Sequence, residues 1–415
     1  MTKTIYLDNG ATTKVDPEVV RVMNKFYLET YGNASSIHRL GQKARMAVNE
    51  ARHAIAKSIG AKDEEIIFTS GGTESNNLAI KGIAFANKPK GNHFITTKIE
   101  HDCVLNSCRW LEKQGFKITY LEVDKEGFVD PEDLEKAIRK DTILVSVIHG
   151  NNEIGTIQDL EALYKICKEK GVYFHTDACQ SYTKTRLSIK NADLITLNAH
   201  KIHGPKGVGV LYIKKGIKIT PLLHGGGHEF KLRSGTENVP EIVGFAKAAQ
   251  LAMKADNKKI ARLRDYFIEE ALKIPDVILN GPKGAGTKGI KDSRGFGNFV
   301  SKQSKISGTT EGGDKRLCNN VNLSFRYIEG ESIGAALDAK GICTSTGSAC
   351  SSKTLEPSHV LMALENNPER AHGSLRITLS RFTTKEELDF TLEELKKAVK
   401  KLRRISPLTK LLKKV

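Results

Sequence analysis

Lys201 lies in ADLITLNAHKIHGPKGVGVLYI, residues 192–213, where two apolar runs flank a His-Lys pair and a Gly-Pro break. The run 194–197 reads as a buried strand and Gly204-Pro205 ends regular structure, which places Lys201 on a loop just past a strand end. Ligands of α/β sheets bind at such ends. A lysine held there, partly desolvated, gives up its proton more readily and can form an imine with an aldehyde cofactor such as pyridoxal phosphate. Other side chains fit the same chemistry. In EIIFTSGGTESNNLAIKG, residues 65–82, a strand runs through Ser70-Gly71-Gly72-Thr73 into a helix, so free backbone N–H groups and a hydroxyl gather at a helix N-terminus, an anion site. Asp177 ends the strand of VYFHTDACQS, where a carboxylate can pair with a pyridinium nitrogen. His101, in KIEHDCV, stands at a strand-to-helix junction from which an imidazole can stack on a ring and carry protons. Arg376, in GSLRITL, can clamp a carboxylate with two N–H groups. Cys350 sits among small residues in CTSTGSACSSKTLEPSHVL, and a thiol on such a loop, residues 344–353, is expected to travel. Taken singly, each has a plainer alternative: a solvated lysine, a Thr-capped turn, an N-cap carboxylate, a structural His, a salt-bridged Arg, a small buried Cys. Cys103, Cys108, Cys167 and Cys343 lie in apolar patterns and read as buried core thiols, while Cys179 and Cys318 are left open.

These groups need a scaffold. Candidate strands at 66–69, 93–97, 117–121, 143–149, 172–176, 194–197 and 208–213 alternate mostly with helical patterns, an α/β layout with a mainly parallel sheet. Before them come a short strand at 4–7, a helix opened by Asp16-Pro17, and an amphipathic helix from about 38 to 59 stopped by Gly60. After them, HGGGHEFKLRSGTENVP, residues 224–240, is a long loop rich in charge and hydroxyls. A helix over 259–274 leads to strands at 320–325, 342–345 and 374–379. The division expected is a large domain over 13–258 and a smaller α+β domain from 1–12 and 259–415. Residues 284–315, poor in apolar side chains, read as a flexible insertion, and the charged C-terminal helix reads as a solvated face.

With 415 residues and 39% hydrophobic content the chain can bury a large core. Its net charge of +17 suits an anionic cofactor, an acidic protein or RNA, and chooses among none of them. Seven cysteines, with no CxxC, suit a reducing cytoplasm better than a secreted disulfide framework. No apolar run reaches the ~18 residues that a membrane span needs.

Together, YLDNGATT, SGGTESNN, EHDCV, NNEIGT, HTDACQS, AHKIHGPKG, HGGGHEFKLRSGTENVP, GSACSSKTLEPSHVL and LRITLSRFTTKEE make the sequence resemble the cysteine desulfurases of the iron-sulfur assembly type. These are class V aminotransferases with the fold-type I pyridoxal-phosphate architecture, and the likeness covers nearly the whole chain. The resemblance implies pyridoxal 5'-phosphate as cofactor and L-cysteine as substrate, in a homodimer. It implies that Lys201 forms the imine, that Gly72, Thr73, Asn198 and His200 hold the phosphate side, that Asp177 meets the pyridine nitrogen and Gln180 the ring hydroxyl. It further implies that His101 stacks on the ring, that Asn152 touches cofactor and substrate, that Arg376 takes the substrate carboxylate, and that Thr236 reaches the other subunit's phosphate. Cys350 then takes the sulfur as a persulfide for an iron-sulfur scaffold or another acceptor, including tRNA thiolation. No resident metal is implied; Cys350 would meet a cluster only on a scaffold. Asn198 replaces the usual small hydroxyl residue and Cys179 the usual Thr. Selenocysteine lyase or aminotransferase activity on the same fold, and a non-catalytic basic scaffold, are the rival readings. Direct nucleic-acid binding and membrane association are not expected.

Overall fold

The computed structural model describes residues 4–284, 315–346 and 356–407. The chain opens with β1 (Ile5–Tyr6), α1 (Pro17–Leu28) and α2 (Arg39–Ile59). It continues through β2 (Ile66–Thr69), α3 (Gly72–Asn87), β3 (His93–Thr97), α4 (Asp102–Glu112), β4 (Lys117–Leu121), α5 (Pro131–Ala137), β5 (Thr142–Ser146), α6 (Leu160–Glu169), β6 (Tyr173–Asp177), β7 (Leu194–Asn198) and β8 (Gly209–Ile213). After α7 (Val239–Ala252) and α8 (Asn257–Ala271) come β9 (Val277–Leu279), β10 (Asn320–Phe325), α9 (Gly330–Asp338), β11 (Ile342–Cys343), α10 (His359–Glu365), α11 (Pro368–His372), β12 (Ser374–Thr378) and α12 (Lys385–Ile405).

Local chemistry sets several of these boundaries. Asp16 caps α1, its carboxylate accepting the Glu18 N–H, and Pro17 supplies a preset φ at the first helical position. Gly60 ends α2 at φ 78, a left-handed conformation that suits glycine.

The large sheet has seven strands in the order β2-β8-β7-β6-β5-β3-β4, parallel except where β8 runs against both β2 and β7. Strands β2, β5, β7 and β8 are buried on both faces, as a sheet covered by helices requires, and the edge strand β4 is only partly buried. Ile66, Phe68, Ile195, Leu197, Val210 and Tyr212 pack with α2 and α7, while Ile67, Leu194 and Leu211 pack with α3 and α4. Each such side chain contributes about 2 kcal/mol. A one-residue slip of β7 would put Thr196 where Ile195 and Leu197 pack, so the register that delivers Lys201 is well specified.

A second sheet, β12-β10-β9, is antiparallel, and β1 pairs with β11 in parallel. Phe325, Leu323, Leu375 and Ile377 form a separate core with Phe267 of α8 and with Leu388, Leu392, Leu395 and Val399 of α12. The C-terminal helix is therefore amphipathic rather than simply solvated. Its charges sit on the outer face, in pairs such as Lys385–Asp389 and Lys397–Glu393.

Residues 285–314, 347–355 and 408–415 lie outside the described residues, and with them most of the expected insertion and Cys350. The flanks of the first segment are held together. Arg316, fully buried, donates from Nε to Pro282 O at 2.6 Å and from Nη2 to Asn280 O, and the Ile157 N–H bonds Lys315 O at 2.9 Å. Replacing 285–314 by a short Gly/Ser linker is accordingly expected to leave the thermal midpoint within a few degrees of the parent and cofactor retention intact. Loss of cofactor absorbance in that variant would show that the segment belongs to the core.

Candidate active site

The expected site residues that follow β2, β3, β5, β6 and β7 gather at one end of the large sheet because parallel strands present their carboxyl ends together. β2 leads into the turn before α3, β3 into His101, β5 into Asn152, β6 ends on Asp177, and β7 ends on Asn198 just ahead of His200 and Lys201. β5 stops at Ser146 instead of running to residue 149, which leaves the following segment free to carry Asn152.

α3 begins at Gly72. A Cβ on Gly72 would stand 2.7 Å from Cys179 Sγ, and one on Gly209 would stand 2.6 Å from the Gly71 backbone, so both positions require the missing side chain. Ser70 N–H is taken by Glu74 at 2.8 Å, and Glu74 is itself paired with Arg233. Thr73 is exposed at the first turn, next to the helix's positive end.

Asp177 is buried and its carboxylate accepts from Asn76 Nδ2 at 2.7 Å and from the Cys179 N–H at 2.9 Å. The pair of donors fixes the carboxylate plane. Lys201 donates to the carbonyls of Gly10 and Ala11, the latter at 2.7 Å, and Gln180 Nε2 shares Gly10 O at 2.8 Å. The N-terminal strap 8–14 thus lies against Lys201, and Gly10 is tied to the small sheet by Thr378 Oγ1 at 2.6 Å. Lys206, in contrast, is exposed beyond the Gly204-Pro205 turn. His200 meets Thr12 Oγ1 at 3.2 Å; burial, then the positive charges of Lys201, Lys206 and Lys184, pushes its pKa down to about 3, so the ring is neutral.

Arg376 and Asn152 come together. Arg376 Nη1 donates to Asn152 O at 3.1 Å and Nη2 pairs with Asp8 at 3.1 Å, while Arg376 Nε and Asn152 Oδ1 are buried with no partner. Such atoms are costly unless something binds them, and an amino-acid ligand carries both a carboxylate acceptor and ammonium donors. Asn198 Oδ1 is another buried atom of this kind. A helix N-terminus, a fixed carboxylate, a lysine and a neutral imidazole around these atoms fit a phosphorylated pyridine aldehyde.

His101 caps α4, its Nδ1 accepting the Cys103 N–H at 3.2 Å. Burial lowers its pKa. Cys103, read from the sequence as a core thiol, instead faces the site: its Sγ lies 3.1 Å from both His101 Nδ1 and Asn76 Nδ2. Burial, followed by the charge of Asp177, pushes the Cys103 thiol up to about 12, and the same two causes push buried Cys179 well above the usual thiol range. Cys108 and Cys167 are core residues as expected, Cys318 is buried too, and Cys343 is half-buried. Asn76 was not anticipated, since its neighbour Asn77 is an equal candidate and only the α3 rotation chooses between them.

Thr236 is exposed on the long loop after β8. That loop is pinned by Glu229, whose carboxylate takes two bonds from buried Arg52, at 2.8 and 2.6 Å, and the Phe68 N–H at 2.8 Å.

The chain belongs to the class-V aminotransferase family, in its cysteine desulfurase branch: the family's sequence profile matches residues 5–290 and 301–390. Its similarity to the cysteine desulfurase IscS of Dictyoglomus turgidum is 53% identity over 413 residues, covering 98% of this chain and 97% of that one. The corresponding protein of Methanosarcina thermophila is 50% identical over 412 residues, covering 98% and 95%. Among solved structures, a NifS-like protein superposes with a TM-score of 0.84 at 36% identity, covering 96% of this chain and all of that one. SspA in complex with cysteine superposes with a TM-score of 0.76 at 33% identity, covering 92% and 100%.

Proposed function

We propose that the chain converts L-cysteine to L-alanine and passes the sulfur to Cys350 as a persulfide. The observation that carries this reading is the unpartnered, buried Arg376 Nε and Asn152 Oδ1 beside the edge where Lys201, Asp177 and His101 converge. Pyridoxal 5'-phosphate, when bound, supplies an electron sink next to the substrate carbon. The chain's own residues do the rest. The N-terminus of α3, with Gly72 and Thr73, and the side chains of Asn198 and His200 receive the phosphate. Asp177, held by Asn76 and the Cys179 N–H, keeps the ring nitrogen protonated, and Gln180 bonds the ring hydroxyl. Lys201 would hold the cofactor through its aldehyde. Arg376 would take the substrate's carboxylate, Asn152 Oδ1 would accept from its amine, and His101 would move protons at its ring nitrogen. The Cys350 thiolate would attack the substrate sulfur, forming the S–S bond of a persulfide as the substrate C–S bond breaks; the electron pair stays with the carbon, whose protonation yields alanine.

The domain division at 13–258 against 1–12 and 259–415 is supported by the separate cores beside the large and small sheets, while a further cluster packs Ile99, Ile148 and Ile154 against Val360, Leu361 and Leu364 across it. No helix among the described residues is long and apolar enough to cross a membrane. We assign the chain to the cytoplasm on its cysteine usage, and its sulfur to iron-sulfur assembly and tRNA thiolation on its likeness to IscS proteins.

Incubation of the cofactor-loaded protein with L-cysteine, followed by alanine quantification, tests the reaction. Alanine with no keto acid is expected; a keto acid product would make the enzyme a transaminase, and exclusive turnover of selenocysteine would make it a lyase for that substrate. Homodimerisation places exposed Thr236 at the other subunit's phosphate. Sedimentation at assay concentration is expected to show a dimer, and Thr236→Ala to weaken cofactor retention by about ten- to a hundredfold, the worth of about one hydrogen bond to a charged group. A fully active monomer would refute this.

A further inference from the structure

We infer that Asn76 and Cys103 are positioning residues which tie Asp177 to His101 through a directed chain of hydrogen bonds and fix the imidazole with its proton on Nε2. The inference rests on the proposed role of His101 as proton carrier and names what holds it ready.

The direction of each bond follows from the groups themselves. Asp177 accepts from the Cys179 N–H on Oδ1 and from the Asn76 NH2 on Oδ2, the latter at 2.7 Å. The second N–H of that NH2 meets Cys103 Sγ at 3.1 Å, which makes the sulfur an acceptor there and leaves its S–H to donate. The S–H donates to His101 Nδ1 at 3.1 Å, the same nitrogen that already accepts the Cys103 backbone N–H at 3.2 Å. Two donors on Nδ1 exclude a proton there, so the neutral ring carries its hydrogen on Nε2. Exchange with a ligand is confined to that nitrogen.

Residues of α3, α4 and the end of β6 make this chain: the two bonds of Asn76 cross between elements, while both bonds to His101 Nδ1 come from Cys103, two residues on. The electrostatic surroundings are mixed. Asp177 and Asp102 favour a charged imidazole, whereas Lys201 and His359 oppose it, and burial, the largest influence, keeps it neutral. A helix N-terminus against the ring acts in the same direction. Cys103 keeps its proton because burial outweighs its hydrogen bonds, so its role in the chain is that of a donor.

The test uses full-length protein labelled with 15N-histidine, with and without pyridoxal phosphate, observed by magic-angle-spinning NMR. The His101 signals are those that vanish in His101→Gln. Their shifts are expected to report Nε2–H and a bare Nδ1 in the parent. In Cys103→Ala the titration of His101 is expected to move up by about half to one pH unit, the worth of one lost hydrogen bond to the neutral form. Cys103→Ser, whose hydroxyl donates in the same direction, is expected to restore the parent value. A proton on Nδ1 in the parent overturns the inference without any variant. So does a titration that is unchanged in Cys103→Ala, or equally altered in the Ala and Ser variants, which would mean that only packing was lost. Alanine release is measured in parallel: a parent that titrates as expected but releases no alanine would sink the proposed reaction while leaving the tautomer assignment standing.

Discussion

Cys350→Ser is expected to cut alanine release by roughly a thousandfold, as removal of a nucleophile does, while the protein still holds its cofactor and still changes its absorbance on adding cysteine. A serine hydroxyl ionises far less readily than a thiol and attacks sulfur poorly. The two thiols beside the site offer no substitute. With its pKa pushed up to about 12, Cys103 is ionised to roughly one part in 10⁵ at neutral pH, and burial and the charge of Asp177 also disfavour the Cys179 thiolate. Because raised thiol values oppose the thiolate at every pH below them, moderate alkali does not rescue the variant. In the proposed function cofactor binding draws on α3, Asp177 and Lys201, whose identities the substitution leaves unchanged. Alanine release at the parent's rate would make another thiol the nucleophile.

Lys201→Ala is expected to produce the complementary loss. Borohydride should trap no covalent cofactor on the protein, and alanine release should fall by a thousandfold or more. Lys206→Ala should behave as the parent, since Lys206 is exposed beyond the turn whereas Lys201 Nζ is seated on the carbonyls of Gly10 and Ala11. Peptide mapping of the trapped parent identifies the lysine directly. Cofactor found on Lys206, with Lys201 unmodified, would break the assignment of roles around β7.

The large sheet was legible because its signals are local. Apolar runs bounded by turn residues gave each of its seven strands to within a few residues, and Asp16, Gly60 and the Gly204-Pro205 pair marked ends through their own backbone preferences. The smaller sheet was less so: β9 is three residues long and follows Asp276, at φ 55, with too short a pattern to show periodicity. α9, α10 and α11 are likewise short or start without a strong local signal. In α12 the charges drew attention from the Leu388-Leu392-Leu395-Val399 stripe that covers the small sheet.

Among the candidate site residues, the placement of those at strand ends was readable, since strand ends are where a parallel sheet gathers ligands. The residues that support them were not. Cys103 lies at helical spacing with the buried side chains of α4, and pattern alone assigns it to the core. Only the approach of α3 to α4 and β6 turns it towards His101. The pairing of Arg376 with Asn152 O spans 224 residues and depends on how β12 meets the loop after β5, which no local pattern encodes.

The central claim, sulfur transfer from L-cysteine to Cys350, is tested most directly by a single turnover. Cofactor-loaded protein in excess over L-cysteine is quenched, its free thiols and persulfides are alkylated, and its peptides are weighed while free alanine is counted. The account predicts one added sulfur atom on the peptide bearing Cys350 for each alanine formed, with Cys103 and Cys179 unmodified. Alanine formed without sulfur on Cys350, or with the sulfur on either of those buried thiols, would contradict it.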